Sequence, residues 1–175
     1  VRAGEKHNEG SVTELKGHDD DCSAVAWSTD GRFLATGSYD RSVRLWWTNH
    51  EDNESPWTEM MKLVPEGSGH RGMVNDLAFS PLSVLLATAT ADSKVVLWST
   101  KFEADDFGSE IMTLKGHNEL RGVSCVRFSV DGEVLATSSF DWTIMLWSVS
   151  GDDIGTCIAT LSEHKLPVSM LSFSP

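Results

Sequence analysis

Leu34-Ala35-Thr36-Gly37-Ser38-Tyr39-Asp40-Arg41-Ser42-Val43-Arg44-Leu45-Trp46 is the stretch that decides the architecture, because its skeleton returns twice. Leu86-Ala87-Thr88-Ala89-Thr90 and Leu135-Ala136-Thr137-Ser138-Ser139 repeat its first five residues in kind. Each is followed, after one intervening residue, by an aspartate, Asp40, Asp92 or Asp141, and six residues beyond that by a tryptophan, Trp46, Trp98 or Trp147. Upstream, Leu15-Lys16-Gly17-His18 returns as Gly69-His70, as Leu114-Lys115-Gly116-His117 and, altered, as Glu163-His164. An aromatic follows each histidine by nine residues at Trp27, Phe79 and Phe173, and by eleven at Phe128. Three units are complete and a fourth begins, and self-similarity at this period fixes a repeat architecture before any local reading does.

Within each unit, short runs of Val, Leu, Thr and aromatics alternate with turn residues such as Thr29-Asp30-Gly31 and Val130-Asp131-Gly132, the pattern of antiparallel strands. No stretch of helical length shows a 3.6-residue apolar stripe. Strands are expected at 23–28, 33–38, 43–47 and 57–63 of the first unit. Four strands per unit make a propeller blade, so the fold class is all-β, an incomplete β-propeller of four-stranded antiparallel blades. The blade units run roughly 15–63, 67–115 and 116–161, with a partial unit at 162–175. An outer strand is expected at Val12–Leu15 and a first strand at Val168–Phe173. Three blades leave strand edges and apolar faces open, so remaining blades of a longer chain are expected to close the ring.

Gly-His, an Asp-bearing turn and a terminal Trp at this spacing resemble the WD-repeat β-propeller family over nearly the whole chain. The second letter of that family's Trp-Asp pair is replaced here by Trp47, Ser99 and Ser148. The resemblance implies a protein–protein interaction scaffold; the alternative is a substrate-recruiting or regulatory propeller attached to an enzyme domain outside this segment. It also sorts the loops. Asp19, Asp20, Tyr39, Arg41, Arg71, Met73, Leu120, Arg121, Phe140 and Trp142 fall on the top face. Glu51, Asp52, Glu54, Glu103, Asp105, Asp106, Asp152 and Asp153 fall on the bottom. The top set is rich in the residue types that dominate interface cores, which makes Tyr39, Arg41, Arg71, Met73, Leu120, Arg121, Phe140 and Trp142 the candidate partner-binding residues. Blade endings of the form Trp-Asp-x-Arg, found in WD-repeat substrate receptors of ubiquitin ligases, are missing from Trp46-Trp47-Thr48-Asn49, Trp98-Ser99-Thr100-Lys101 and Trp147-Ser148-Val149-Ser150.

His18, Thr36 or Ser38, Asp40 and Trp46 in the first unit have counterparts in His70, Thr88 or Thr90, Asp92 and Trp98, and in His117, Thr137 or Ser139, Asp141 and Trp147. Histidine, hydroxyl and carboxylate are also the parts of a hydrolytic triad. A catalytic set occurs once per active site, whereas this one recurs at nearly fixed spacing, so it reads as a structural tetrad in which indole, hydroxyl, imidazole and carboxylate satisfy one another. Both hydroxyls stay candidates because side chains two apart share a strand face. The four histidines belong to separate units, so no metal site is expected, and no cofactor is called for.

Composition narrows the partners. With 26 acidic and 14 basic residues the formal charge is −12, which excludes broad attraction to nucleic acid or an anionic membrane. The apolar runs are strand-sized, and the three cysteines show neither CxxC spacing nor an even count. The expectation is an intracellular protein, cytoplasmic or nuclear, that is not an enzyme and binds proteins or peptides.

Overall fold

The computed structural model describes residues 13–48, 57–63, 72–82 and 84–175. They form three four-stranded antiparallel sheets and almost no helix. The first sheet holds β1 (Cys22–Trp27), β2 (Phe33–Ser38), β3 (Val43–Thr48) and β4 (Trp57–Leu63). The second holds β5 (Val74–Phe79), β6 (Leu85–Thr90), β7 (Val95–Ser99) and β8 (Glu110–Leu114). The third holds β9 (Val123–Phe128), β10 (Val134–Ser139), β11 (Ile144–Ser148) and β12 (Cys157–Leu161). Each sheet is an up-and-down meander in chain order, and the three stack as an open arc without closing a ring.

Alternation of side chains explains why the middle strands read as continuous apolar runs. Phe33, Ala35, Val43 and Leu45 of the first sheet pack against Leu77, Phe79, Leu86, Val96 and Trp98 of the second. The intervening residues Ala87, Ala89, Val95 and Leu97 point to the other face and meet Val123, Val126, Leu135 and Trp147 of the third. A sheet sandwiched on both faces must be apolar on both. At about 1.5–3 kcal/mol per fully buried large side chain, these two layers are the main source of stability. Each tryptophan coincides with a register shift between the third and fourth strands, at Leu45/Trp46, Leu97/Trp98 and Leu146/Trp147, so the large ring is seated by a bulge at the same place in every blade.

A polar contact repeats between blades. Ser23 donates its hydroxyl to the Val74 carbonyl, Asn75 its amide to the Val123 carbonyl at 2.7 Å, and Ser124 its hydroxyl to the Val168 carbonyl at 2.6 Å. These residues occupy the second position of β1, β5 and β9; the acceptors Val74 and Val123 open β5 and β9, and Val168 opens the stretch expected as the next first strand.

Two expected strands differ. Thr13–Leu15 carries no strand, and Val12 lies outside the described residues. Residues 162–175 also carry none, although Val168 is buried and its N–H donates to the Ser139 carbonyl at 3.2 Å. The reason is physical: a strand exists by its ladder, and among the described residues no strand pairs with 168–173.

Candidate functional site

The β2–β3, β6–β7 and β10–β11 turns lie at one end of the arc, together with the connectors that enter β1, β5 and β9. In the first blade the His18 imidazole bridges Asp40 Oδ2, at 2.9 Å from Nδ1, and Thr36 Oγ1, at 2.8 Å from Nε2. The Trp46 indole N–H donates to the same Thr36 oxygen at 2.9 Å. The third blade repeats this geometry: His117 Nδ1 to Asp141 at 3.1 Å, Nε2 to Thr137 at 2.7 Å, and Trp147 Nε1 to Thr137 at 2.9 Å. In the second, Trp98 donates to Thr88 at 3.1 Å, while His70 lies outside the described residues.

The threonine, not the downstream hydroxyl, therefore joins the indole. Ser38 and Ser139 instead accept the N–H groups of Asp40 and Asp141 at 3.0 Å and donate to the carbonyls of Asp20 and Gly122. Thr90 donates to Asp92 and to the Lys94 carbonyl. In the first and third blades the second hydroxyl ties the turn to the connector, and the first ties the tryptophan to the histidine.

Sequence reasoning missed one member. Ser42 and Thr143, two residues after the aspartate, donate to Asp40 and Asp141 at 2.6 Å and lie 3.2 and 3.1 Å from the histidine Nδ1. Their signal was a hydroxyl at the same offset; the second blade has Lys94 there, paired to Asp92 at 3.5 Å. Burial alone would raise the carboxyl of Asp141, but donation from the Thr143 hydroxyl, from the Asn118 and Thr143 N–H groups and from His117 outweighs it and holds it at about 2. Asp40 is likewise held well below the carboxylate range, by Ser42, the Asp19 N–H and His18 against the effect of burial. Burial pushes His117 below its ordinary value, more than Asp141 raises it. A neutral imidazole fixes the direction of the chain: Trp147 N–H to Thr137 oxygen, Thr137 O–H to His117 Nε2, His117 Nδ1–H to Asp141.

Thr137 has no exposed surface and His117 very little, so this hydroxyl faces an indole and an imidazole, with no path to a substrate carbonyl. Cys125 is buried too, and burial followed by its contact with Asp76 pushes the thiol up to about 11, which disfavours the thiolate.

The residues flanking the turn aspartates are arranged differently. Tyr39, Phe140 and Trp142 stand exposed, as do Arg41, Arg121, Met73 and Leu120, the last at 90%. Arg71 lies outside the described residues. Main-chain bonds tie these turns to the connectors: Tyr39 N to the Asp21 carbonyl, Ala91 N to Met73 and Phe140 N to Gly122, at 3.0, 2.9 and 3.2 Å. Tyr39, Met73, Ala91, Arg121 and Phe140 thus lie along one rim. Arg41, Ser93 and Trp142 hold φ of 69°, 67° and 76°, the left-handed region that favours glycine. Arg32, Arg44 and Arg127 pair with Asp30, Glu59 and Asp76. Among the described residues, Arg41 and Arg121 are the arginines without a carboxylate partner.

No helix among the described residues is long and apolar enough to cross a membrane. The family model "WD domain, G-beta repeat" matches residues 9–46, 61–99 and 108–148. The chain is 25% identical over 162 residues to "Anaphase-promoting complex subunit cdc20" of Dictyostelium discoideum, covering 93% of this chain and 29% of that protein. It is 31% identical over 151 residues to "Protein HIR1" of Mycosarcoma maydis, covering 79% and 14%, and 28% identical over 160 residues to "Ribosome biogenesis protein WDR12 homolog" of Anopheles gambiae, covering 81% and 35%. The chain spans well under half the length of each of these relatives.

Proposed function

Because the chain belongs to the WD40 repeat family, we propose that it is a non-enzymatic interaction scaffold, which binds partner proteins or peptides through the end of the arc carrying the β2–β3, β6–β7 and β10–β11 turns. The observation that carries this reading is the contrast within those turns. The aspartates are held in the same buried network, while their neighbours differ from blade to blade and stand exposed as Tyr39 and Arg41 or Phe140 and Trp142. Left-handed backbone costs about 1–2 kcal/mol for a residue with a Cβ. All three turns hold this position at φ near +70°, so the strain belongs to the repeat; what supports a binding role is that Arg41 and Trp142 stand exposed where the second blade has the buried Ser93.

Unpaired Arg41 and Arg121 in a chain of formal charge −12 favour a partner that brings carboxylates or phosphates to this rim. The same charge supports a protein partner over nucleic acid or an anionic membrane, and relatives named as an anaphase-promoting complex subunit and a ribosome biogenesis protein support an intracellular setting. Val25 and Trp27 are 65% and 50% exposed, whereas their counterparts Leu77 and Phe79, and Val126, are buried against a preceding blade. That exposed face supports closure of the arc by further blades. The test replaces Tyr39, Phe140 and Trp142 by alanine in the full-length natural protein and compares quantitative co-purification. Partners should fall at least about tenfold with the melting profile retained. An unchanged partner set in a folded variant would falsify the assignment.

A further inference from the structure

The opposite end of the arc carries the turns joining β1 to β2, β5 to β6 and β9 to β10, and there the second blade breaks the repeat. In the first and third blades the turn is Ser28-Thr29-Asp30-Gly31-Arg32 and Ser129-Val130-Asp131-Gly132-Glu133. The serine hydroxyl donates to the aspartate at 2.6 and 2.5 Å, and the aspartate accepts the N–H of Arg32 or Glu133 at 3.1 and 3.0 Å. The second blade reads Ser80-Pro81-Leu82-Ser83-Val84. It keeps the closing bond from Ser80 N to the Leu85 carbonyl at 2.8 Å, yet gives up the aspartate that satisfies the turn in its sisters. In exchange it displays Leu82 at 78% exposure and Val84 at 40%. Among the described residues nothing rewards that exchange, because a leucine so exposed buries almost no area.

The neighbours extend the patch. Pro81 accepts the Thr29 hydroxyl at 2.6 Å and lies against Gly132, which brings the three turns together and sets Val130, 66% exposed, beside the leucine turn. On the outer side the Val84 carbonyl accepts the Thr100 N–H at 2.9 Å, which places the β7–β8 loop alongside. There Phe102, 39% exposed, leans on Phe33 with ring centroids 5.7 Å apart. Exposed carboxylates outnumber cations on these segments, with Asp30 and Asp131 on the turns and Glu103, Asp105 and Asp106 on the loop against Arg32 and Lys101. The guanidinium of Arg32 is already placed over the Phe102 ring and beside Asp30.

We propose that Leu82, Val84, Phe102 and Val130 form a second docking surface, on the face away from the Tyr39–Phe140 rim, for a protein segment that presents an apolar side chain flanked by lysines or arginines. Exposed apolar centres with a charged rim are the form of an interaction site, and the sign of the rim selects a basic partner. This surface stands independently of the rim at the other end.

The test uses the full-length natural protein and fluorescein-labelled peptide pools with a central Leu or Phe flanked by Lys, against pools flanked by Glu. Binding is read by anisotropy. The variant combines Leu82→Asp, Ser83→Gly and Val84→Glu, copying the third blade's own turn and adding to the acidic rim, so any loss is due to the apolar side chains; Leu82→Asp alone is the second variant. The Lys-flanked pool should saturate, weaken at least about tenfold with either variant, and weaken in 0.5 M salt. Equal binding by natural protein and variants overturns the proposal. So does equal binding of Glu-flanked pools, or no saturation up to about 1 mM protein. A dimer of the natural protein that the variants abolish in sedimentation assigns the surface to a second copy, and overturns it as well.

Discussion

Replacing Thr137 with valine tests the reading of the tetrad at its centre. Valine is close to threonine in shape, so the substitution removes an oxygen without opening a cavity. That oxygen accepts the Trp147 indole N–H at 2.9 Å and donates to His117 Nε2 at 2.7 Å, in a residue with no exposed surface. Two buried polar groups lose their partner together. Each costs about 1–3 kcal/mol, so the expected loss is about 3 kcal/mol after the gain from an added methyl. Thr137→Ser keeps the oxygen and deletes one buried methyl, for about 1 kcal/mol. Equilibrium urea unfolding of the full-length protein, followed by tryptophan emission, should rank natural above serine above valine. At a slope of about 2 kcal/mol/M, valine shifts the midpoint by roughly 1.5 M. A valine variant as stable as the serine variant would show that the shared oxygen carries no net stability, and the tetrad account would fall with it.

Acid should act in two stages. His117 is held below its ordinary 6.5 by burial, so the unfolded chain takes up a proton first as pH drops; stability is full above about 6.5 and falls below it. Asp141, at about 2 against 3.8, contributes stability that is full above about 3.8 and is lost as pH falls through about 2. Urea midpoints should therefore decline from pH 7 to 5 and again from 5 to 3; a maximum at pH 5 contradicts the first stage. Trp142→Gly relieves a left-handed φ of 76° and should stabilise by up to about 1 kcal/mol in the same unfolding assay while weakening partner capture, a combination that a purely structural Trp142 would not give. Asn75→Ala removes the amide from the Val123 carbonyl and should cost about 1 kcal/mol, with faster amide exchange at the junction of the second and third blades than elsewhere. Uniform exchange across the three sheets would remove the inter-blade role.

The repeat made the fold legible because every blade solves the same packing problem with the same residues. Expected strands at 33–38 and 57–63 coincide with Phe33–Ser38 and Trp57–Leu63, and Val43–Thr48 ends one residue beyond 47. What a strand lacks when its neighbour does not pair with it is invisible in sequence, hence the unpaired 168–173. Period-two alternation placed Thr36 and Ser38 on one face but could not rank them. The difference arises where the β1–β2 register shifts between Cys22 and Ala24, which brings Ser38 to the Asp20 carbonyl and leaves Thr36 beneath the indole. Ser42 and Thr143 escaped notice because a hydroxyl in a turn carries little signal until its distance from a histidine is known.

Departures from the repeat differ in kind at the two ends of the arc, and the difference separates their meanings. At Arg41 and Trp142 the hydrogen-bonded turn and its left-handed φ are shared with Ser93 of the second blade, and only the exposed side chain changes, so the fold tolerates a free choice of side chain above a fixed network. At Leu82 the Ser80 hydroxyl still accepts the Leu85 N–H at 3.1 Å, but the serine–aspartate bond present in both sister turns is exchanged for exposed hydrocarbon. Copying errors in a repeat drift toward residues that the local structure accepts, and an exposed leucine and valine flanked by Phe102 raise the risk of unwanted association. A departure that lowers local satisfaction and raises that risk persists when something outside the fold compensates. Repeated residues therefore account for the architecture. We read the departures as the binding positions: varied exposed side chains on satisfied turns at one end, exposed hydrocarbon at the other.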